Sequence, residues 1–287
     1  MTTDAHEAPP GDGGAVNETV EIVKTVVYAL LIAFALRVLL FQPYTIPSAS
    51  MEPNLYEGDY IIVSKFSYGY SKHSIPLSPP LFNGRIFNHA PQRGDIIVFK
   101  FPRDVHAGRA DFIKRLVGLP GDHIQVKAGQ VFINDKPLPR NETEPGVSAL
   151  PYGGTQPVAR YFETASNGRL YLTQGYGNDG AADNTGVYVV PPHCYFMMGD
   201  NRDNSLDSRF DPQLPPNVTG TANCGWDPSV DRFLPSEAQA GVGFVPEEDL
   251  VGRAQMILLS WKPGASLFKP WTWVMNLRPS RFFHLLK

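Results

Sequence analysis

Gly58-Asp59-Tyr60-Ile61-Ile62-Val63-Ser64-Lys65 is a run of β-branched and aromatic residues opened by Gly-Asp, and Gly94-Asp95-Ile96-Ile97-Val98-Phe99-Lys100-Phe101 is built the same way. Such side chains lose rotamer freedom in a helix and pack well on a pleated surface, so both segments are expected as strands. Phe112–Val117 is another strand, and His123–Lys127 with Gln130–Asn134 reads as a hairpin turning at Ala128-Gly129. Further strands are expected at Arg160–Thr164, Arg169–Thr173, Gly186–Val190, Cys194–Met198 and Gln255–Trp261. No second long helix-period segment follows Phe41, which predicts a mainly β fold of several sheets. The 27 prolines and 26 glycines in 287 residues suit short strands joined by many turns.

Upstream the pattern changes. Val20–Phe41 reads VEIVKTVVYALLIAFALRVLLF, 22 residues that would extend ~33 Å as a helix and cross a bilayer core. Its charges, Glu21, Lys24 and Arg37, lie near its ends, where the two basic stems can reach the interface. A cleavable secretion signal would begin with a basic region, whereas residues 1–19 hold Asp4, Glu7, Asp12 and Glu18 and no Lys or Arg. A helix buried in a soluble domain would need something to pack against, and the Pro/Gly-rich head reads as a disordered tail. The segment is therefore expected to be a transmembrane helix. One lysine and one arginine at opposite ends give no orientation.

Three stretches read as insertions in the β domain: 71–92, 137–183 and 211–248, all rich in Pro, Gly, Asn and Thr. The middle one carries enough strand signal for a small β subdomain, and the last reads as a long loop. Leu250–Lys287 contains six basic residues and no acidic one, interleaved with Trp261, Phe268, Trp271, Trp273, Phe282 and Phe283. That mixture suits a headgroup region, and Pro263, Pro270 and Pro279 argue against a second span. The expected division is a tail at 1–19, a span at 20–41, a catalytic domain at 42–262 and an aromatic, basic end at 263–287.

A formal net charge of −3 gives no electrostatic reason to expect nucleic acid as a partner. Cys194 and Cys224 form no C-x-x-C and have no histidine cluster beside them, so neither a metal nor a cofactor is expected. They are either a disulfide of an extracytoplasmic domain or two reduced, partly buried thiols.

Chemistry enters at Ile46-Pro47-Ser48-Ala49-Ser50-Met51, a few residues beyond the span. A serine hydroxyl needs a base. The seven histidines (His6, His73, His89, His106, His123, His193, His284) fall in tails, turns or loops, and no G-x-S-x-G or H-E-x-x-H occurs. Lysine remains. Among Phe112, Ile113, Leu116 and Val117, the amine of Lys114 would lose its charge more readily, since burial can lower a lysine pKa by ~3 units. By spacing alone, an edge-strand lysine pointing into water beside Arg115 explains the same residues.

The joint occurrence of motifs decides between them. Ile46–Met51, Gly58–Lys65, Arg93–Phe99, Lys114-Arg-Leu-Val-Gly-Leu-Pro-Gly-Asp122 and Gly199-Asp-Asn-Arg-Asp-Asn-Ser-Leu-Asp-Ser-Arg209, in that order, resemble the box motifs of bacterial type I signal peptidases. The resemblance covers the span and most of 42–260. It implies a membrane-anchored enzyme of the inner membrane, its catalytic domain on the periplasmic side, cleaving signal peptides from secretory preproteins after small-x-small sequences. The one span read above makes it single-pass, whereas some members have two. In that frame Ser50 is the nucleophile, Lys114 the general base, Ser48 an oxyanion donor and Ser205 the residue that orients the lysine. Ile46, Pro47, Met51, Leu55, Phe112 and Ile113 would line the substrate pockets. Arg115, Asp200, Asn201, Arg202, Asp207 and Arg209 would support the site, with Arg115–Asp200 the expected ion pair. Asn54 stands where the family commonly has Thr, and Ala49 where it often has Gly. A specialised Ser/Lys processing peptidase of the same fold, and an inactive membrane-tethered binding domain, are the alternatives. Oligomeric state does not follow from the sequence.

Overall fold

The computed structural model describes residues 13–75, 78–102, 109–149, 154–210, 224, 241–264, 269 and 271–286. Helix α1 spans Gly13–Leu39, and its apolar stretch Glu18–Leu39 is left unburied by the described residues. It ends two residues before the expected boundary. Pro43 cannot continue a helix, and Phe41–Thr45 instead forms strand β1. That strand pairs antiparallel with β2, Asp59–Ser64, from Phe41↔Ser64 to Thr45↔Tyr60.

The main sheet adds β3 (Ile96–Lys100), β4 (Asp111–Gly118), β12 (Cys194–Met198), β13 (Val245–Pro246), β14 (Leu250–Ser260) and β15 (His284–Leu285). Its order is β1-β2-β14-β3-β4-β12-β13, with β15 also pairing β14. The central β3 is apolar without alternation because both faces are covered. Ile96 and Val98 join a core with Ile61, Val63, Val251 and Ile257. Ile97 and Phe99 join another with Leu116, Met197, Val245 and Leu250. By contrast β2 buries Ile61 and Val63 and turns Tyr60 outward, the half-buried pattern of a strand nearer the rim.

Two smaller sheets stand beside it. The first is β11 (Tyr188–Val189), β5 (His123–Lys127), β6 (Gln130–Ile133) and β7 (Lys136–Pro137). Its hairpin turns at Ala128-Gly129 with φ of 46° and 71°, the positive values a two-residue turn requires. The second, in the expected insertion, is β8 (Arg140–Ala149), β9 (Thr155–Thr164) and β10 (Leu170–Gly175) in the order β10-β9-β8. Strand β8 was not expected, since it contains Pro145 and Gly146. It is tolerated by an irregularity between Thr143 and Gly146, where the Arg160 guanidinium fills the space beside Gly146.

Cys194 and Cys224 are disulfide-bonded, which settles the alternative left open by their spacing. Most of the expected 211–248 insertion and residues 1–12 of the expected tail lie outside the described residues. The expected aromatic, basic end does not simply lie apart. After a short α2 (Trp271–Met275), the chain returns to the sheet as β15, and Leu286 packs on the β2/β14 core.

Candidate active site

The turn after β1 carries Ser50 in a single helical turn, Ala49–Met51, over the core formed by Ile46, Met51, Leu55 and Ile113. Lys114 projects from β4, whose register with β3 is set by Ile97↔Lys114 and Ile96↔Arg115. Alternation along β4 sends these neighbouring side chains to opposite faces. The Lys114 amine stands 2.7 Å from Ser50 Oγ, with both side chains buried. Burial lowers the amine from its ordinary 10.5 to about 8, opposed by the charges of Asp207 and Asp200 and reinforced by Arg209. Phe112 borders the amine, its ring centroid 5.8 Å from Nζ.

Arg115 grips Asp200 with both arms, Nε to Oδ1 at 2.6 Å and Nη2 to Oδ2 at 2.8 Å, donates to Gly94 O and lies over the Tyr171 ring. The expected pair is therefore formed. Arg209 holds Asp207 through Nε and Nη2, and Asp207 accepts from the Gly199 amide. Arg202 turns instead to Glu163 of β9, at 2.7 and 2.5 Å. Asn201 holds the serine turn itself: its amide donates to Ser50 O and its Nδ2 to Ala49 O, both at 3.1 Å.

The profile described as "Signal peptidase, peptidase S26" matches residues 19–261, most of the chain and every motif above. The chain belongs to the signal peptidase I family. Signal peptidase I of Rickettsia typhi (strain ATCC VR-144 / Wilmington) is 35% identical over 277 residues, 89% of each chain. That of Rickettsia massiliae (strain Mtu5) is 38% identical over 250 residues, covering 82% of this chain and 78% of its own. A solved signal peptidase I from Enterococcus faecalis V583 aligns at 22% identity over 57% of this chain and 97% of that one. Its TM-score of 0.28 carries no weight in the assignment.

Not every residue matched to the signal peptidase I motifs makes the contact expected of it. Ser205 Oγ is buried and has no hydrogen-bond partner among the described residues, while the lysine amine donates to Ser50. It still borders the turn, since a Cβ on Gly199 would lie 2.3 Å from Ser205 Oγ and 2.6 Å from Ser50 O. Ser48 is exposed, its Oγ a loose 3.4 Å from Ser50 Oγ. Of the expected pocket residues, Ile46, Met51 and Leu55 are buried in the core under the turn. Ile113 joins that core, Phe112 stacks on Phe101, and Pro47 is exposed. Strand β12 reaches β4 only at Arg115–Gly118, so Asp111–Lys114 keep an edge that no described strand pairs.

Sequence reasoning missed a set of residues in the serine loop and the inserted sheet. Asn54 Nδ2 donates to Leu172 O at 2.6 Å and to Asp200 Oδ2 at 2.8 Å. Glu52, Ser148, Glu163 and Gln174 are all buried between the serine turn and the Gly199–Arg209 loop. The signal was faint: a carboxylate at Glu52, two residues after Ser50.

Proposed function

We propose that the chain is a membrane-anchored endopeptidase that removes signal peptides from secretory preproteins after small-x-small sequences, using Ser50 as nucleophile and Lys114 as general base. The 2.7 Å contact between the Lys114 amine and Ser50 Oγ carries the proposal, because it joins a hydroxyl to a base whose charge burial suppresses. Neutral Lys114 takes the proton as Ser50 Oγ attacks the carbonyl carbon. The developing oxyanion sits at the Ser50 N–H and the Ser48 hydroxyl. The ammonium then returns its proton to the leaving amine as the C–N bond breaks. Water, deprotonated by the same amine, releases the acyl group from Ser50.

The unpaired edge at Asp111–Lys114 offers an extended substrate backbone hydrogen bonds beside the serine. Ile46, Pro47, Met51, Leu55, Phe112 and Ile113 would bound the small side chains before the cut. The free hydroxyl of Ser205 would hold the lysine once Ser50 is acylated. Arg115–Asp200, Asn201, Arg202 and Asp207–Arg209 keep the serine turn and the lysine in register.

Helix α1 would hold the site at the bilayer, with residues 1–19 cytoplasmic and the domain of 42–262 outside. The Cys194–Cys224 bond supports that side, since disulfides persist in oxidising compartments. The exposed Trp271, Trp273 and Phe283 of the 263–287 segment would rest against lipid headgroups. Purified Ser50→Ala and Lys114→Ala proteins are expected to remain folded by circular dichroism and to leave a preprotein uncut. Cleavage retained by either variant would sink the dyad.

A further inference from the structure

Glu52 lies two residues beyond Ser50 and is only 5% exposed. No ion pair reaches it among the described residues, and a buried, unpaired carboxylate is unfavourable. Its Oε2 instead accepts from Ser148 Oγ of β8 at 2.8 Å and from Gln174 Nε2 of β10 at 3.3 Å. Both donors are themselves buried, at 1% exposure each. Burial raises the carboxyl above its ordinary 4.5, partly offset first by the two hydrogen bonds and then by the charges of Arg160 and Arg278.

Gln174 also binds the other side of the site. Its amide donates to Asp200 O at 2.9 Å, and its carbonyl accepts from the Arg202 amide at 2.8 Å, bracketing Asn201. Asn201 in turn holds the Ala49 and Ser50 carbonyls. The Glu52 amide donates to Ala49 O at 3.1 Å. A ring of hydrogen bonds thus runs from the serine turn to Asn201, across Gln174, through the Glu52 side chain and back to the turn. The ring closes where the inserted sheet meets Glu52, beside the separate bond from Asn54 to Leu172 O of β10.

We infer that Glu52 is a positioning residue, through which Ser148 and Gln174 of the inserted sheet fix the place of Ser50 relative to Lys114. The inserted sheet is then a brace for the nucleophile turn. The inference rests on the reading of Ser50 as nucleophile. Hydrogen bonding, rather than charge, does the work: an uncharged acceptor of the same shape serves equally. Small displacements suffice, because about 1 Å of misplacement can cost ~100-fold in rate.

The test measures kcat, KM and thermal midpoint for the purified full-length chain on a preprotein. Glu52→Ala is expected to lower kcat ~10-fold or more with KM little changed, since two hydrogen bonds of ~1 kcal/mol each are lost. Glu52→Gln, whose amide oxygen can accept both bonds, is expected to restore kcat to within ~3-fold of wild type, the size of a fraction of one such bond. Ser148→Ala removes one hydroxyl from the sheet and is expected to lower kcat ~5-fold even should Glu52→Ala fail to fold. Unchanged kcat in both alanine variants, or a Glu52→Gln enzyme as slow as Glu52→Ala, overturns the inference. Ser50→Ala run alongside separates the two claims. Cleavage by that variant defeats the dyad, whereas its inactivity beside an unimpaired Glu52→Ala defeats only the brace.

Discussion

At the scale of the residue, Lys114 trades stability for chemistry. Its folded pKa, about 8, lies below the ordinary 10.5. Below about 8 the folded state must bury an ammonium, so the penalty is fully present there. It fades as pH rises from 8 toward 10.5, where the unfolded chain also loses the proton. At about 1.36 kcal/mol per unit, the penalty near neutrality is ~3 kcal/mol. Lys114→Met should therefore raise stability toward urea near pH 7, by up to about 3 kcal/mol, while abolishing cleavage. A variant less stable than wild type would contradict the lowered pKa. Arg115–Asp200 behaves oppositely. Asp200→Ala removes the carboxylate that both arms of the buried Arg115 guanidinium grip and should lose ~3–5 kcal/mol in the same unfolding measurement. Ser50, Lys114, Arg115 and Asp200 were legible because each sits in a dense local motif. Glu52, Gln174 and Glu163 were not: Glu52 meets Ser148 and Gln174 at separations of 96 and 122 residues, Glu163 meets Arg202 at 39, and these contacts mean nothing until the fold brings them together.

At the scale of the element, legibility followed burial. Strands β2, β3, β4 and β12 were read correctly because their β-branched and aromatic runs reflect cores on one or both faces. Strand β8, with Pro145 and Gly146, offered no such pattern and is held by its pairing with β9. Phe41, the first residue of β1, was read as the end of the helix because it continues the apolar run, although its backbone pairs with β2. The interior of β3 is where packing matters most. Ile97 is fully buried, so Ile97→Ala should cost ~2–5 kcal/mol in urea unfolding, with little effect on KM at permissive temperature. A loss under ~1 kcal/mol would mean that the second face is not packed as described. Gly199 is constrained by approach rather than by conformation. Gly199→Ala drives a methyl onto Ser205 Oγ and Ser50 O, and should reduce kcat ~100-fold while leaving substrate binding largely intact.

At the scale of the molecule, an exposed apolar helix is joined through β1 to a sheet that holds serine and lysine over one core. The helix contributes no side chain to the dyad. A chain beginning at Leu40 should leave the membrane fraction yet cut a soluble peptide with nearly the full-length kcat, as fractionation and peptide kinetics would register. The general plan was readable from the sequence. The bracing of the serine turn by the inserted sheet was not, because it depends on side chains of that sheet meeting loops distant in sequence. The central claim, a serine activated by a lysine whose proton burial makes easier to lose, is tested most directly by the pH dependence of kcat/KM on a preprotein. A single rise with an apparent pKa about 8 and a plateau above it is the predicted result. A rate still climbing near the ordinary lysine value of 10.5 would contradict it.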